Sequence, residues 1–393
     1  MRKVAVLIMI STLLQACSAP GNDPGEVPAD ASGAFERAER LMSAYEYQAA
    51  REVLTDAWEA DGPRPELAAM LAESELLTGR ADRAVERLEE TLEHHEGDVR
   101  LLFWLAVASS AAGRQERAAE IIDEALALAG EKEAVLYDLA EEFLRRGVPS
   151  VAGALYGKII EVYPTESQFD IFSCLQLAVL HYANEDYDKA ARVMKLAARP
   201  MERGDISILT PHESQYWIAV FEAMHLAAGG MIEEGITGLR NAAASYPPGI
   251  AADAALVVVL DGEGREEEAS GVYVLAARRL ADAINAEPED ARAYHEAALL
   301  SALSGREVAE GLRLCRWALT LQPLMGEFMD TKAALLLALG RHEEALRHSE
   351  RAIALAGAAR WSPPALSMTF ALRRLDALEK CGVPVPAAFT RLP

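Results

Sequence analysis

The sequence predicts an all-α protein of stacked helical hairpins, and three observations predict it. Glycines 79, 113 and 147 recur at steps of 34 residues. The residues around them keep the same step: Ala84, Ala118 and Ala152, then Leu88, Ile122 and Tyr156, with Tyr45, Ala50 and Leu54 one step earlier. A period of this length marks repeated units, each stacking on its neighbours. Composition agrees, because 51% of residues are hydrophobic, alanine is abundant and aromatics are only 6%. Such a chain suits closely packed helices better than sheets.

The unit with its glycine at 147 shows why each beat is a hairpin. Leu136, Leu139, Ala140 and Phe143 fall at i, i+3, i+4 and i+7, one face of a helix. Gly147 ends that helix. A second helix carries Ala152, Tyr156 and Ile159, and Pro164 stops it. This pattern resembles the tetratricopeptide repeat, whose preferred positions are filled here by Leu136, Leu139, Ala140, Phe143, Gly147, Ala152, Tyr156 and Ile159. The unit at 99–130 is similar through Leu102, Leu105, Ala106, Gly113, Ala118, Ile122 and Ala125, with Ser109 and Gly130 departing from the pattern. The unit at 326–357 is similar through Met329, Ala333, Leu336, Gly340, Ala345 and Ala352, with Lys332 at a core position.

Weaker units centre on Asn184-Glu185 with Ala190, Val193 and Ala197, on Gly230 with Gly235, Leu239 and Ala242, on Gly264 with Ala269 and Tyr273, and on Gly305 with Leu312 and Ala318. The resemblance implies an α-α superhelix, a solenoid of about nine hairpins over residues 35–357. Residues 358–393 are expected to supply a capping helix, near 363–380, and a tail. A cap with a polar outer face suits the end of a solenoid.

The step breaks in two places. Residues 199–211 are extra and read as a loop, either idle or reaching into a groove. The second helix near 265–286 reads as unusually long. Val257-Val258-Val259 has strand propensity but is expected in a buried first helix.

Residues 1–16 read as a signal peptide: Arg2 and Lys3, then an apolar run from Val4 to Leu14 too short to span a bilayer. Leu14-Gln15-Ala16-Cys17 resembles the lipobox of bacterial lipoproteins. The resemblance implies cleavage before Cys17, acylation of that cysteine and stable membrane anchoring. Ser18 in place of an aspartate resembles the sorting pattern of outer-membrane lipoproteins, so the expected location is the cell envelope, lipid-anchored and facing the periplasm. Residues 17–34 are rich in Pro, Gly and acids and read as a flexible tether.

The chain carries 38 Lys+Arg against 61 Asp+Glu, a net charge of −23. That balance argues against a nucleic-acid partner and favours solubility. Cys174, Cys315 and Cys381 are scattered and read as small buried residues, with no metal expected. His212-Glu213, His295-Glu296 and His342-Glu343 lack a second histidine four residues on, and Gly262-Glu263-Gly264 lacks a third glycine and a preceding strand. No cofactor and no catalytic residues are expected, so the chain reads as a non-enzyme.

In the tetratricopeptide family the inner groove is lined by first helices. Carried over by position, Arg100, Phe103, Val107, Tyr137 and Glu141 would face it and bind a protein or peptide. The paired Lys and Asn that clamp a peptide carboxylate in some members are missing. Phe103 and Tyr137 could equally pack between hairpins. The functional expectation is an envelope scaffold or adaptor in assembly, secretion or export. The alternatives are a substrate-binding or enzyme-like protein using the groove and the 199–211 segment, and a structural homo-oligomer.

Overall fold

In the computed structural model, residues 32–163, 167–202, 209–358 and 365–392 are described. The expected signal peptide, Cys17 and most of the expected tether lie outside them, as do Pro164 and residues 203–208 of the long insertion. Among the described residues there are nineteen α-helices and no strand. Nine hairpins follow in order: α1 (Ser32–Ser43) with α2 (Tyr47–Asp61), α3 (Pro65–Leu77) with α4 (Ala81–Leu92), α5 (Val99–Ala111) with α6 (Gln115–Ala129), α7 (Glu133–Arg145) with α8 (Pro149–Val162), α9 (Gln168–Ala183) with α10 (Tyr187–Glu202), α11 (Pro211–Ala228) with α12 (Ile232–Ser245), α13 (Ala251–Gly262) with α14 (Glu266–Ala286), α15 (Ala291–Ser304) with α16 (Val308–Leu321), and α17 (Gly326–Ala338) with α18 (His342–Ala358). A single helix, α19 (Ala365–Lys380), and a 3-10 turn, Ala387–Phe389, complete the order. No helix among the described residues is long and apolar enough to cross a membrane.

Each hairpin turns on one residue in the left-handed region. Glycines fill that position at 79, 113, 147, 230, 264, 305 and 340, but Tyr45 (φ 63°) and Glu185 (φ 62°) adopt it too. The following N–H reaches back to a carbonyl five residues earlier: Arg80 to Glu75, Arg114 to Ser109, Asp186 to His181 and Arg341 to Leu336, each at 2.8–2.9 Å. Carbonyls that would end the first helix unpaired are thereby satisfied. The α15–α16 turn departs from the others, with Gly305 at φ 70° and Glu307 at φ 48°.

Most first helices are apolar nearly all round and are buried accordingly, whereas α1 and α7 are amphipathic. Every residue of α5 from Leu101 to Ser110 is buried. The second helices carry one apolar stripe, as in α4, where Ala84, Val85, Leu88 and Thr91 face inward and the rest is charged. Where the helices of a hairpin cross, the residues are small. A Cβ on Gly235 of α12 would lie 2.9 Å from the Ala223 carbonyl oxygen of α11, so an alanine there would push the pair apart.

The described residues fall into two compact units. One holds the residues up to Phe143, Val148–Lys158 and the segment from Cys381 on; the other holds Leu144–Gly147 and Ile159–Lys380. In the second unit α19 packs on α17 and α18 and also on α9. Its Met368 N–H donates to the Gln176 side-chain oxygen of α9 at 3.0 Å. Met368, Phe370, Leu372, Leu375 and Leu378 are all buried. The expected polar outer face is therefore missing: α19 is covered because it packs on both the first and the last helices of its unit.

The long second helix expected near 265–286 is α14, and Val257 and Val259 are buried in the first helix α13. Residues 199–202, read as loop, are instead the last turn of α10, with Pro200 costing one backbone hydrogen bond near the helix end. α1 begins at Ser32, inside the range assigned to the tether. Cys174 and Cys315 are buried, with burial pushing both thiols up to about 12, whereas Cys381 is exposed.

The turn geometry gives a paired expectation. A Cβ at Gly113 would meet nothing within 4 Å, so Gly113→Ala should cost only backbone strain, about 1–2 kcal/mol. Glu185→Gly should move stability the other way, by up to ~1 kcal/mol. Urea unfolding of the two variants checks this; shifts of the same sign would refute the assignment.

Candidate functional site

The five residues expected to line a groove all lie on α5 and α7, and the structure separates them. Arg100 is exposed and pairs with Glu142 of α7 at 3.1 Å. An open pair of this kind contributes little to stability. Phe103 and Val107 are 0% exposed. The Phe103 ring meets Phe143 edge to face, centroids 5.8 Å apart, so it joins hairpins and offers no open surface. Tyr137 is half-buried, its ring 5.7 Å from that of Tyr156. Both hydroxyls bond Glu141, Tyr156 at 2.7 Å. Burial, then the adjacent Glu141 carboxylate, raises the Tyr137 hydroxyl well above its ordinary range.

Beside this pair lies an aromatic seat that the spacing argument missed. Trp104 of α5 stacks obliquely on Phe143, centroids 5.7 Å apart. It also meets Phe389, from the segment after α19, edge to face at 6.5 Å and 71°. Ser150, at the start of α8, donates its hydroxyl to the Ala388 carbonyl at 2.6 Å. The sequence signals were the bulky Phe103-Trp104 pair and the apolar Ala387-Ala388-Phe389. Nothing in their spacing joined them, since they lie far apart along the chain.

The other unit holds a buried polar cluster on α15, α17 and α19. His295 stacks on Phe328 with centroids 4.5 Å apart, and its Nε2 bonds the Thr331 hydroxyl at 2.8 Å. Burial drives its imidazole down to about 3, so it is held neutral. Asp330 lies 3.6 Å from Arg373 of α19, both buried. Burial lifts Asp330 to about 6, Glu296 to about 7 and Glu327 to about 8, against partial relief from Arg373 or Arg292. Neither carboxyl oxygen of Glu327 has a hydrogen-bond partner. Such a cluster costs stability and is stable only because the surrounding helices hold it. Among the described residues no three His, Cys, Asp or Glu are grouped to hold a metal ion.

One further surface is a largely apolar cleft of about 530 Å³ between α14, α15 and α16, lined by Tyr273, Ile284, Tyr294, Leu314 and Trp317. Trp317 is 50% exposed, and Val274 and Leu275 on α14 are also exposed.

Residues 41–102 match the model of the tetratricopeptide repeat family. The chain is similar to the solved structure of Naa15/Naa10 bound to HypK-THB at 13% identity, over 90% of this chain and 68% of that one, with a TM-score of 0.31. It is similar to TTC0263, a thermophilic tetratricopeptide-repeat protein of Thermus thermophilus, at 24% identity, over 53% of this chain and 99% of that one, with a TM-score of 0.30. No curated protein matches.

Two expectations follow. Phe103→Ala should destabilise by about 3–5 kcal/mol, whereas Arg100→Ala should change stability by less than about 0.5 kcal/mol; thermal unfolding compares them. The raised carboxyls bind protons more tightly folded than unfolded. Their contribution is therefore full below the unfolded values, 3.8 for Asp330 and 4.5 for the two glutamates, and is lost as pH rises through 6, 7 and 8. His295, depressed when folded, removes stability only as pH falls below about 6.5. Glu327→Gln should melt several degrees above wild type at pH 8, with the gap closing toward pH 5. A gap independent of pH would refute the protonated, buried Glu327.

Proposed function

We propose that this tetratricopeptide-repeat protein is a lipid-anchored scaffold that holds protein partners at the cell envelope, on the periplasmic side of the outer membrane, in assembly or export. The observation that carries the reading is the pairing of a helical-hairpin array with an aromatic seat built from Trp104, Phe143 and Ser150, which receives the 3-10 turn Ala387–Phe389 from far along the chain. Repeat arrays of this kind offer long surfaces to other chains. The net charge of −23 disfavours nucleic acid as the ligand. The anchoring half of the reading rests on Leu14-Gln15-Ala16-Cys17 and the Pro- and Gly-rich stretch that follows. Two or more acyl chains on a new amino-terminal cysteine hold a protein on a membrane where one does not.

Replacing Cys17 by Ser should move the protein from the membrane to the soluble fraction; a variant that stays with membranes would refute the anchor. For the scaffold, a photo-crosslinker at Arg100, exposed on α5, should capture a partner in cells. One at Leu128, 51% exposed on the second helix α6, should capture far less. Equal capture at the two positions would count against a partner face on the first helices.

A further inference from the structure

The cleft between α14, α15 and α16 is a groove with two walls and a floor. Ala277, Ala281 and Ile284 of α14 form one wall, Leu314 and Trp317 of α16 the other, and Tyr294 of α15 lies in the floor. Five of the nine exposed large hydrophobic residues among those described lie on these two walls or in the turn after α16: Val274, Leu275, Trp317, Leu321 and Leu324. Exposed apolar side chains gathered in this way mark an interaction site. From Tyr273 to Asn285 the groove follows roughly 18 Å of α14, room for about twelve residues of helix.

Two features say what fits. The walls and floor are helices, whose backbone groups are paired internally, so the groove has no edge that could bond an extended strand. A helix brings its own hydrogen bonds with it. The second feature is charge. Glu307 stands at the Tyr273 end and accepts from the Tyr273 hydroxyl at 3.4 Å, while Glu287 and Glu289 are exposed just past Asn285 at the other end. None of these three carboxylates is in an ion pair among the described residues. The bases nearby are already engaged: Arg313 with Glu310, Arg306 with Asp261 and Arg279 with Asp253. Arg292 faces Glu296 and Glu327, and Arg316 lies toward Lys332 and His348 of the next hairpin. Arg278 is offset by Asp282 one turn further along α14. The groove is thus apolar along its length and acidic at both ends. A second copy of this chain, itself at −23, would bring more acid to those ends, whereas a segment with basic ends would be attracted.

We propose that the α14–α15–α16 groove is a docking site for an amphipathic helix of a partner protein, apolar along one stripe and carrying Lys or Arg at both ends. Trp317 and Ile284 grip the stripe, and Glu287, Glu289 and Glu307 take the basic ends. The site goes beyond the envelope scaffold reading and does not rest on it, since its walls are second helices and neither Cys17 nor Arg100 takes part.

The test uses the full chain and a capped, fluorescent model peptide, Lys-Lys-Leu-Gln-Ala-Leu-Leu-Gln-Ala-Leu-Leu-Gln-Ala-Lys-Lys, with a twin in which glutamate replaces all four lysines. In an anisotropy titration the lysine peptide should bind at least tenfold more tightly than its twin. Trp317→Ala, which alters no charge, should weaken it at least fivefold, and Glu287→Lys with Glu289→Lys should remove the preference for lysine ends. Trp317 is half exposed and both glutamates are exposed, so these variants should fold, which circular dichroism checks. Where Trp317→Ala does not fold, Ala281→Trp fills the groove from an exposed position and should abolish binding. A lysine peptide that does not bind at about 1 mM, or binds no better than its twin, overturns the docking site. Binding that survives both Trp317→Ala and Ala281→Trp is attraction to the acidic surface at large and overturns it too. A wild-type dimer that Trp317→Ala takes apart assigns the groove to a second copy of this chain and overturns the partner helix. The scaffold reading stands or falls separately, on the fractionation of Cys17→Ser and on capture at Arg100.

Discussion

Every hairpin in this chain depends on a residue that accepts positive φ just past the first helix. That one conformation reverses the chain, at every turn but α15–α16 closes two carbonyls with N–H groups that would otherwise be lost, and sets where the second helix starts. The stacking of apolar first helices follows from it, because a turn of fixed geometry presents the same faces each time. Glycine is the least strained occupant, but it is not essential. Tyr45 and Glu185 hold the same turn, and the backbone there carries the strain because the helices on either side dictate it.

This explains what could be read from the sequence and what could not. The turns at Gly79, Gly113 and Gly147 were legible because glycine announces a left-handed residue and the step between them is constant. The turn at Glu185 was legible only through the helix that follows it, and its left-handed residue is the second of the expected Asn184-Glu185 pair. The length of α14 and the burial of the valine run in α13 could be read from local pattern and turn spacing. The placement of Phe103 was undecided, because a first helix that is apolar all round shows no preferred face. The seat for Phe389 and the burial of α19 were invisible, because no periodicity links residues so far apart along the chain.

The buried polar cluster illustrates a different limit. Glu327 and Asp330 sit in the first turns of a helix, where acids usually read as solvated residues favoured by the helix dipole. In α17 they are enclosed by neighbouring first helices and, for Asp330, by Arg373 of α19. Their chemistry is set by packing that the local sequence does not encode. A carboxyl that is ordinary in one hairpin becomes a proton-holding group in another.

Arrays of this kind are nearly one-dimensional, each hairpin touching its neighbours and able to form as soon as it is made. Several contacts among the described residues break that rule. The Gln176 side chain waits for the N–H of Met368, 192 residues on, and the Ser150 hydroxyl waits for the carbonyl of Ala388, 238 residues on. At synthesis rates of roughly 5–20 residues per second, these partners emerge some ten to fifty seconds after the hairpins they complete. For that interval the early helices exist without their last covering, with Trp104 and the face of α9 open. The growing chain must pass through a stage in which its repeats are formed but its surfaces are not yet closed.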